Sequence, residues 1–572
     1  MAECGKAEQP LRNFNTFVFS IQKYQVMKLR HLLIALALIA PFLLRDYTLN
    51  NELKYISIAE EALRDGTWFS FYNHGEAYAD KPPLYLWIVM LSKLLFGSYQ
   101  MWFIALASVL PVAGILAVMG RWVREEMPSF DAKAADLMLA TTGMFLGSAL
   151  VLRMDMLMCM FIVLAIYTFW RLYRGTARKC HHWLLPVWIF LATFTKGPVG
   201  FMMPVLVIAV FLAVKGEIRT FGRYMGLRQW ALLIGLCAAW WALVYIEGGA
   251  EYINNLLFHQ TIGRGIDSFH HKRPWWYYIA HIPQSFAPWV FLLVGVLGVG
   301  AWRKMVRTDL ERLFMVAIVA TFVMLSMFSS KLDIYLVPIY PFVVYLAMLW
   351  LPQFEDKRWA KWAAGFAPAV FMLLLPAAMV ADVCGLIPIE YESLAWGYAA
   401  LAALFVASCV ALWQLWRGQM QRSIVWCGGG LLAMIVLATP AIPQFNSQLG
   451  VGDLAAEATE VAQAEGIEHY AFYRFRSGQN MDIYLDAPCE PIYDVEQLDS
   501  LDCLPYRSVL FIGWKEPQRD SLFAEWLEGR EQTVVGNRSF TIVGKRKLRI
   551  KLREEVKPLR LQIDSTKLKT IN

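Results

Sequence analysis

The feature that most restricts this chain is its succession of long apolar runs. A helix needs about 20 mostly apolar residues to cross a bilayer. The runs Leu29–Leu44, Met101–Gly120, Ala134–Leu150, Met154–Tyr173, Trp183–Thr195, Val199–Val214 and Gln229–Ile246 are of that kind. So are Ile282–Trp302, Leu313–Phe328, Tyr335–Leu351, Ala360–Val380, Leu394–Trp416 and Ile424–Ala441. Inside lipid every backbone N–H and C=O must find a partner within the protein, so such runs predict helices. The expectation is an all-α polytopic membrane protein of about thirteen spans. Composition agrees: 58% of residues are hydrophobic and 17% charged, against about 45–50% and 25% in soluble domains. A disordered chain, a small disulfide scaffold and a standard cytosolic enzyme are excluded. The net charge of +7 lies in short clusters between apolar runs, a pattern that orients a membrane protein and does not point to nucleic acid.

The clusters alternate. Arg121/Arg124, Arg171/Arg174/Arg178/Lys179, Lys215/Arg219/Arg223/Arg228, Arg303/Lys304/Arg307, Lys357/Arg358/Lys361 and Arg417/Arg422 fall in every second loop. These loops are expected in the cytoplasm, with Lys28 and Arg30 on the same side. Residues 45–100, 247–281 and the C-terminal region then face outward, toward the periplasm of a bacterial inner membrane. Residues 1–27 form a polar tail unlike a signal peptide, and Met27-Lys28-Leu29-Arg30 reads as a natural start.

Residues 28–445 form the expected membrane domain, with 45–100 as a juxtamembrane loop. In that loop Asn50–Gly66 reads as a helix stopped by Gly66, and a second helical segment runs from Lys81-Pro82-Pro83 to Phe96. Residues 446–572 read as a small extracytoplasmic α/β domain. Its expected helices are Leu454–Ala464 and Asp520–Glu531, and its expected strands His469–Phe475, Asp482–Leu485, Ser508–Gly513 and Thr533–Val543. Cys489 and Cys503 are candidates for a disulfide there, although spacing alone cannot establish the geometry.

Ionisable groups at membrane depth are costly and mark function. Here they gather at the outward ends of different spans: Asp46, Asn51, Glu52, Asp80 and Lys81, then Arg153-Met154-Asp155, Thr195-Lys196-Gly197-Pro198, Arg264, and Ser330-Lys331-Leu332-Asp333. Each has a plainer explanation. Asn51 and Glu52 suit the first turn of a helix; Lys81 can snorkel; Arg153 and Asp155 can pair; Lys196-Gly197-Pro198 can be a tight turn. Shared sidedness is what these explanations leave out. His259, His270, His271 and His281 match no strong metal-ligand spacing, and no metal or cofactor is expected. Trp275, Trp276 and Tyr277 suit either a lipid groove or an interfacial aromatic belt.

These residues resemble glycosyltransferase family 39. Asn51-Glu52 stands where that family has an Asp-Glu pair, and Tyr78-Ala79-Asp80-Lys81-Pro82 is similar to its acidic-Lys-Pro motif. Arg153-Met154-Asp155 and Thr195-Lys196-Gly197-Pro198 resemble its next signatures, and Ser330-Lys331-Leu332 with Tyr335 and Pro338 resembles a later one. The likeness is nearer to bacterial 4-amino-4-deoxy-L-arabinose lipid A transferases than to protein O-mannosyltransferases. It implies a GT-C fold and a metal-independent, inverting transfer of sugar from a polyprenyl phosphate to a lipid or protein acceptor. On that basis Asn51, Glu52, Asp80 and Asp155 are the candidate catalytic residues. Lys81, Lys196 and Arg264 would hold the donor phosphate, and Arg153, Lys331 and Tyr335 would assist binding.

Asn51 departs from the family's carboxylate. An amide is no general base at neutral pH, so a hydroxyl acceptor would need another base within reach, such as Asp80 or Asp155. An ionised phosphate acceptor, as on lipid A, would need none. The competing expectations are a protein O-glycosyltransferase, a lipid transporter and an inactive relative. Transporters favour internal repeats and broken midplane helices, and the sequence shows neither clearly.

Overall fold

The computed structural model describes residues 29–257, 273–387, 394–513 and 515–544. Expectations for Lys28, His259, Arg264, His270, His271 and the stretch after Gly544 lie outside the described residues. The chain divides into two compact units. One takes the chain up to Ala456 together with Arg476–Asp486; the other takes Glu457–Phe475 and the chain from Ala487 on.

The first unit is helical. Its elements are α1 (Leu29–Leu43), α2 (Lys54–Asp65), a two-stranded hairpin of β1 (Tyr72–Asn73) and β2 (Glu76–Ala77), α3 (Leu84–Phe96) and α4 (Met101–Glu126). There follow α5 (Ala132–Ala140), α6 (Gly143–Ala149), α7 (Asp155–Tyr173), α8 (His181–Lys196), α9 (Pro198–Val214) and α10 (Leu227–Asn254). The remainder are α11 (Tyr277–Phe286), α12 (Val290–Trp302), α13 (Asp309–Met327), α14 (Tyr340–Trp350), α15 (Arg358–Val383), α16 (Ala395–Trp416) and α17 (Met420–Ala438).

Among the described residues 8 helical segments are long and apolar enough to cross a membrane by length and composition. The other runs expected to span are short, as in α1, α8 and α9, or broken. Ala134–Leu150 is not one helix but α5 and α6, and Ile282–Trp302 is α11 and α12. The two breaks face each other. Gly143 N donates to Ala287 O at 2.6 Å, and Trp289 Nε1 donates to Thr141 Oγ1 at 2.9 Å. Thr141 and Thr142 also turn their hydroxyls back onto the carbonyls of Leu137 and Met138. Backbone groups freed by each interruption are thus partnered within the protein, the condition for irregular backbone at membrane depth. A Cβ at Gly143 would lie 2.9 Å from Gln284 O, so this crossing needs glycine.

The buried carboxylate of Asp136 on α5 meets Arg30, His31 and Tyr345, with His31 Nε2 at 3.1 Å. It joins α1, α5 and α14 through charge-assisted bonds. The expected helix after Asn50 is present: a π-helical turn (Leu49–Leu53) runs into α2, and Gly66 closes it at φ 72° in the left-handed region. That conformation is cheap for glycine alone.

The second unit holds a five-stranded mixed sheet in the order β4-β3-β5-β7-β6, formed by β3 (His469–Tyr473), β4 (Cys489–Ile492), β5 (Ser508–Gly513), β6 (Thr533–Val535) and β7 (Arg538–Val543). The core on the sheet joins Tyr473, Leu510 and Ile512 to Leu498 and Leu501 of α18 (Val495–Asp502) and Phe523 of α19 (Ser521–Leu527). Thr533–Val543 is a hairpin and not one strand, turning at Gly536 with φ 61°. Asp482–Leu485 is a single helical turn, not a strand, and belongs to the first unit. β4 was not anticipated. Cys489 and Cys503 are free thiols, which corrects the disulfide expectation.

Candidate active site

Three turns and the loop between β2 and α3 build the site. The first follows α1. Glu52 has a fully buried side chain that accepts from Arg45 Nη1 at 2.7 Å, from Arg45 Nη2, from Thr48 N at 2.9 Å and from Leu152 N at 2.8 Å. One carboxylate therefore ties the Asn50-Asn51 turn to the turn before α7. Asn51 itself is exposed.

The second turn is Leu152-Arg153-Met154, which opens α7 at Asp155. Ser108 of α4 supports it by donating to the carbonyls of Val151, at 2.9 Å, and Arg153, at 3.1 Å. The Asp155 carboxylate is fully buried, bonded to Arg153 Nε at 3.1 Å and in contact with Lys196 Nζ. This buried carboxylate lies between two cations and pairs with both. Its oxygens are thus engaged and not positioned as a free base.

The third turn explains Thr195-Lys196-Gly197-Pro198. Gly197 has φ 102° and ψ −149°, a region essentially reserved for glycine. Pro198 then starts α9 where its missing N–H is harmless. A Cβ at Gly200 would meet Ala192 C at 2.3 Å, so α8 and α9 close into a tight hairpin. Lys196 sits at its tip with Nζ 4.9 Å from the Tyr335 ring centroid, within cation–π range.

Asp80 and Lys81 lie between the hairpin strand β2 and α3. Lys81 Nζ is 3.9 Å from Asp80 Oδ2 and 3.3 Å from Asp80 O. Beside them, burial pushes the Tyr78 phenol well above its usual range, with the neighbouring Tyr55 and Asp80 acting in the same direction. Tyr78 therefore remains a neutral hydroxyl.

A cavity of about 570 Å³ opens onto Asp80, Lys81, Lys196 and Tyr335; Asn51, Glu52, Arg153 and Asp155 are not among its lining residues. Its polar lining includes Asp80, Lys81, Thr193, Lys196, Ser330 and Tyr335, while Trp230, Leu233, Ile234, Trp240 and Trp241 of α10 contribute to an apolar wall. Phe201 and Met202 of α9 and Leu325 of α13 complete much of the rest. The space thus combines two lysines and a carboxylate with a greasy channel.

The structure brings together Asp80, Lys81, Lys196 and Tyr335, with Arg153 and Asp155 linked through Lys196. Lys331 is buried, but its ammonium donates to Arg273 O at 3.2 Å and to Phe328 O. That places it on the carbonyl just after α13 and on one ahead of α11. Trp275 and Trp276 are exposed and are not among the cavity's lining residues. Sequence reasoning missed Arg45, the partner of Glu52; its position directly after α1 and seven residues before Glu52 was the available signal. It also missed the tryptophans of α10, hidden among many apolar residues.

Residues 80–241 match the family profile described as dolichyl-phosphate-mannose-protein mannosyltransferase. The matched segment begins at Asp80 and ends at Trp241, both on the cavity wall. The undecaprenyl phosphate-alpha-4-amino-4-deoxy-L-arabinose arabinosyl transferase 2 of Pseudomonas fluorescens is 25% identical over 296 residues, 50% of this chain and 49% of that protein. A Pseudomonas aeruginosa transferase of the same description is 27% identical over 298 residues, 50% of this chain and 52% of its own length. The chain thus spans about half the length of these two curated relatives. Among solved structures, ArnT from Cupriavidus metallidurans in the apo state superposes with a TM-score of 0.70 at 17% identity, covering 91% of this chain and 98% of that one. The same protein bound to undecaprenyl phosphate gives 0.69 at 19% identity, over 89% and 97%. The chain has the GT-C fold of ArnT, and its sequence resembles glycosyltransferase family 39.

Proposed function

We propose that this chain is a multi-pass inner-membrane glycosyltransferase that moves a sugar from a polyprenyl phosphate to lipid A or another envelope glycolipid on the periplasmic side. The carrying observation is the single cavity in which Lys81 and Lys196 adjoin an apolar wall. A polyprenyl phosphate has the same two parts, an anionic head and a long hydrocarbon tail. The likeness to the arabinosyl transferases supports the same donor class. In this reading all thirteen apolar segments cross or enter the membrane, five of them as short or broken pieces.

The reaction needs an acceptor oxygen to attack the anomeric carbon while the bond from that carbon to the phosphate oxygen breaks. The electron pair leaves with the polyprenyl phosphate. Lys81 and Lys196 stabilise that leaving charge, and fixed cations in a water-poor site do so without reorganisation. Arg264 would add a bidentate partner. Asp155 holds Lys196 in place, Glu52 holds the Asn50-Asn51 turn, and Asp80 is the carboxylate nearest the reacting region. The family profile's own description favours a second reading, a protein hydroxyl acceptor, with Asp80 as base.

Mass spectrometry of lipid A and the other envelope glycolipids, and of envelope glycoproteins, from a deletion strain separates the two acceptors. Loss of a sugar from lipid A or another envelope glycolipid supports the first, loss from protein the second, and no change in either class opposes both. Lys81→Ala is expected to lower turnover at subsaturating donor ten- to a hundredfold or more, from the loss of a charge-assisted bond of about 1.5–3 kcal/mol. Near-wild-type turnover would remove Lys81 from the phosphate site. Asn51→Asp adds a negative charge above a carboxyl pKa of about 4. With a phosphate acceptor its KM for acceptor should rise, and more so at low ionic strength. A faster Asn51→Asp enzyme would instead indicate a hydroxyl acceptor.

A further inference from the structure

The loop bearing Asp80 and Lys81 is strapped to the C-terminal part of α10. Glu247 accepts from three successive backbone N–H groups, those of Trp68 at 2.5 Å, Phe69 at 2.5 Å and Ser70 at 3.1 Å. Converging N–H groups of this kind form an anion-binding nest, here filled by the protein's own carboxylate. The Tyr252 hydroxyl accepts from Phe71 N at 2.9 Å and donates to Tyr78 O at 3.0 Å, two residues before Asp80. Between these anchors Gly249 takes φ 74°, interrupting the helical backbone. A Cβ on Gly248 would lie 2.8 Å from Ser70 Cβ, so the Ser70 side chain packs directly against the backbone of α10 at Gly248. Ala79 completes the strap, buried in one cluster with Trp240, Val244 and Tyr252. Trp240 belongs to the apolar wall of the cavity.

The helix that forms the tail wall therefore also sets the loop that presents Lys81. We infer that Glu247 and Tyr252 are positioning residues that fix Lys81 relative to the α10 wall, so that the phosphate and the prenyl tail of one donor are recognised together. This rests on the donor reading above. Neither residue needs to touch the lipid. Their effect is to hold the lysine where an arriving phosphate finds it already ordered, which removes an ordering cost from binding.

The test compares two lipids in nanodiscs, undecaprenyl phosphate and undecaprenol, which shares the tail and lacks the phosphate. Glu247→Ala should weaken undecaprenyl phosphate binding by about tenfold, the equivalent of 1.4 kcal/mol. Glu247→Gln, which keeps one acceptor oxygen for the N–H groups but sets an NH2 donor against the rest, should recover part of that loss. Tyr252→Phe, which removes both hydroxyl bonds and keeps the ring, should follow Glu247→Ala. Undecaprenol binding should be unchanged in all three. Equal losses for both lipids would mean collapse of the wall and would overturn the inference. Unchanged undecaprenyl phosphate binding in Glu247→Ala and Tyr252→Phe would overturn it while leaving the donor reading intact. Failure of the wild-type chain to bind undecaprenyl phosphate would overturn the donor reading, and this inference with it.

Discussion

Lys196→Ala should abolish transfer and destabilise the protein together. Lys196 is both a cavity lysine and a partner of the buried Asp155. Removing it withdraws one of the two proposed phosphate ligands and leaves Asp155 with Arg153 alone. Breaking a buried pair by deleting one partner costs about 3–5 kcal/mol. Fluorescence-detected size exclusion after graded heating in detergent would show the loss as an earlier collapse of the monodisperse peak. The double variant Lys196→Met/Asp155→Asn separates the roles. It removes both charges of the Lys196–Asp155 pair and leaves only the partly exposed Arg153 to find water, so part of the heat resistance should return while activity stays absent. Wild-type stability and turnover in Lys196→Ala would contradict both assignments. Lys196→Arg is expected to rescue stability better than activity, because a planar fork does not reproduce a point charge at the tip of the α8–α9 hairpin.

Glu52→Ala should be comparably damaging, through architecture and not through proton transfer. Its carboxylate receives Arg45, Thr48 N and Leu152 N. Deletion strands a largely buried guanidinium and two backbone donors, for an expected loss of about 3–5 kcal/mol. Protease nicking in residues 45–100 should rise as the turn loosens. Glu52→Gln keeps an acceptor oxygen but not the charge, so it should fall between wild type and Glu52→Ala in both stability and activity. A general base would behave differently: Glu52→Gln would lose activity at full stability. That pattern would return Glu52 to the catalytic group.

Much of the site was legible because its chemistry is local. Asp80-Lys81-Pro82 and Thr195-Lys196-Gly197-Pro198 each encode a turn through residues whose backbone preferences are strong, so the lysines could be placed at helix ends from sequence. The role of Asp155 was not local. Arg153, two residues away, was the evident partner, but the ion pair with Lys196 spans 41 residues. Glu52 likewise resembled a first-turn acidic residue, yet its bond to Leu152 N crosses 100 residues. Glu247 carried no sequence signal, since one acid after an apolar run is ordinary at a helix end.

The apolar runs determined, from sequence alone, that the chain is helical and membrane-bound, because lipid leaves the backbone no other way to pair its polar groups. The positive clusters likewise gave the expected sidedness. Only tertiary structure decided where the runs break. Hydropathy reads 134–150 and 282–302 as continuous, since the breaks contain few charges to lower it. The interruptions persist because Gly143 finds Ala287 and Thr141 finds Trp289 across the fold. Which ionisable groups face the cavity and which are neutralised internally was decided the same way. Composition can state that a buried charge needs a partner, but the partner's identity depends on which turns the packed helices bring within a few ångströms.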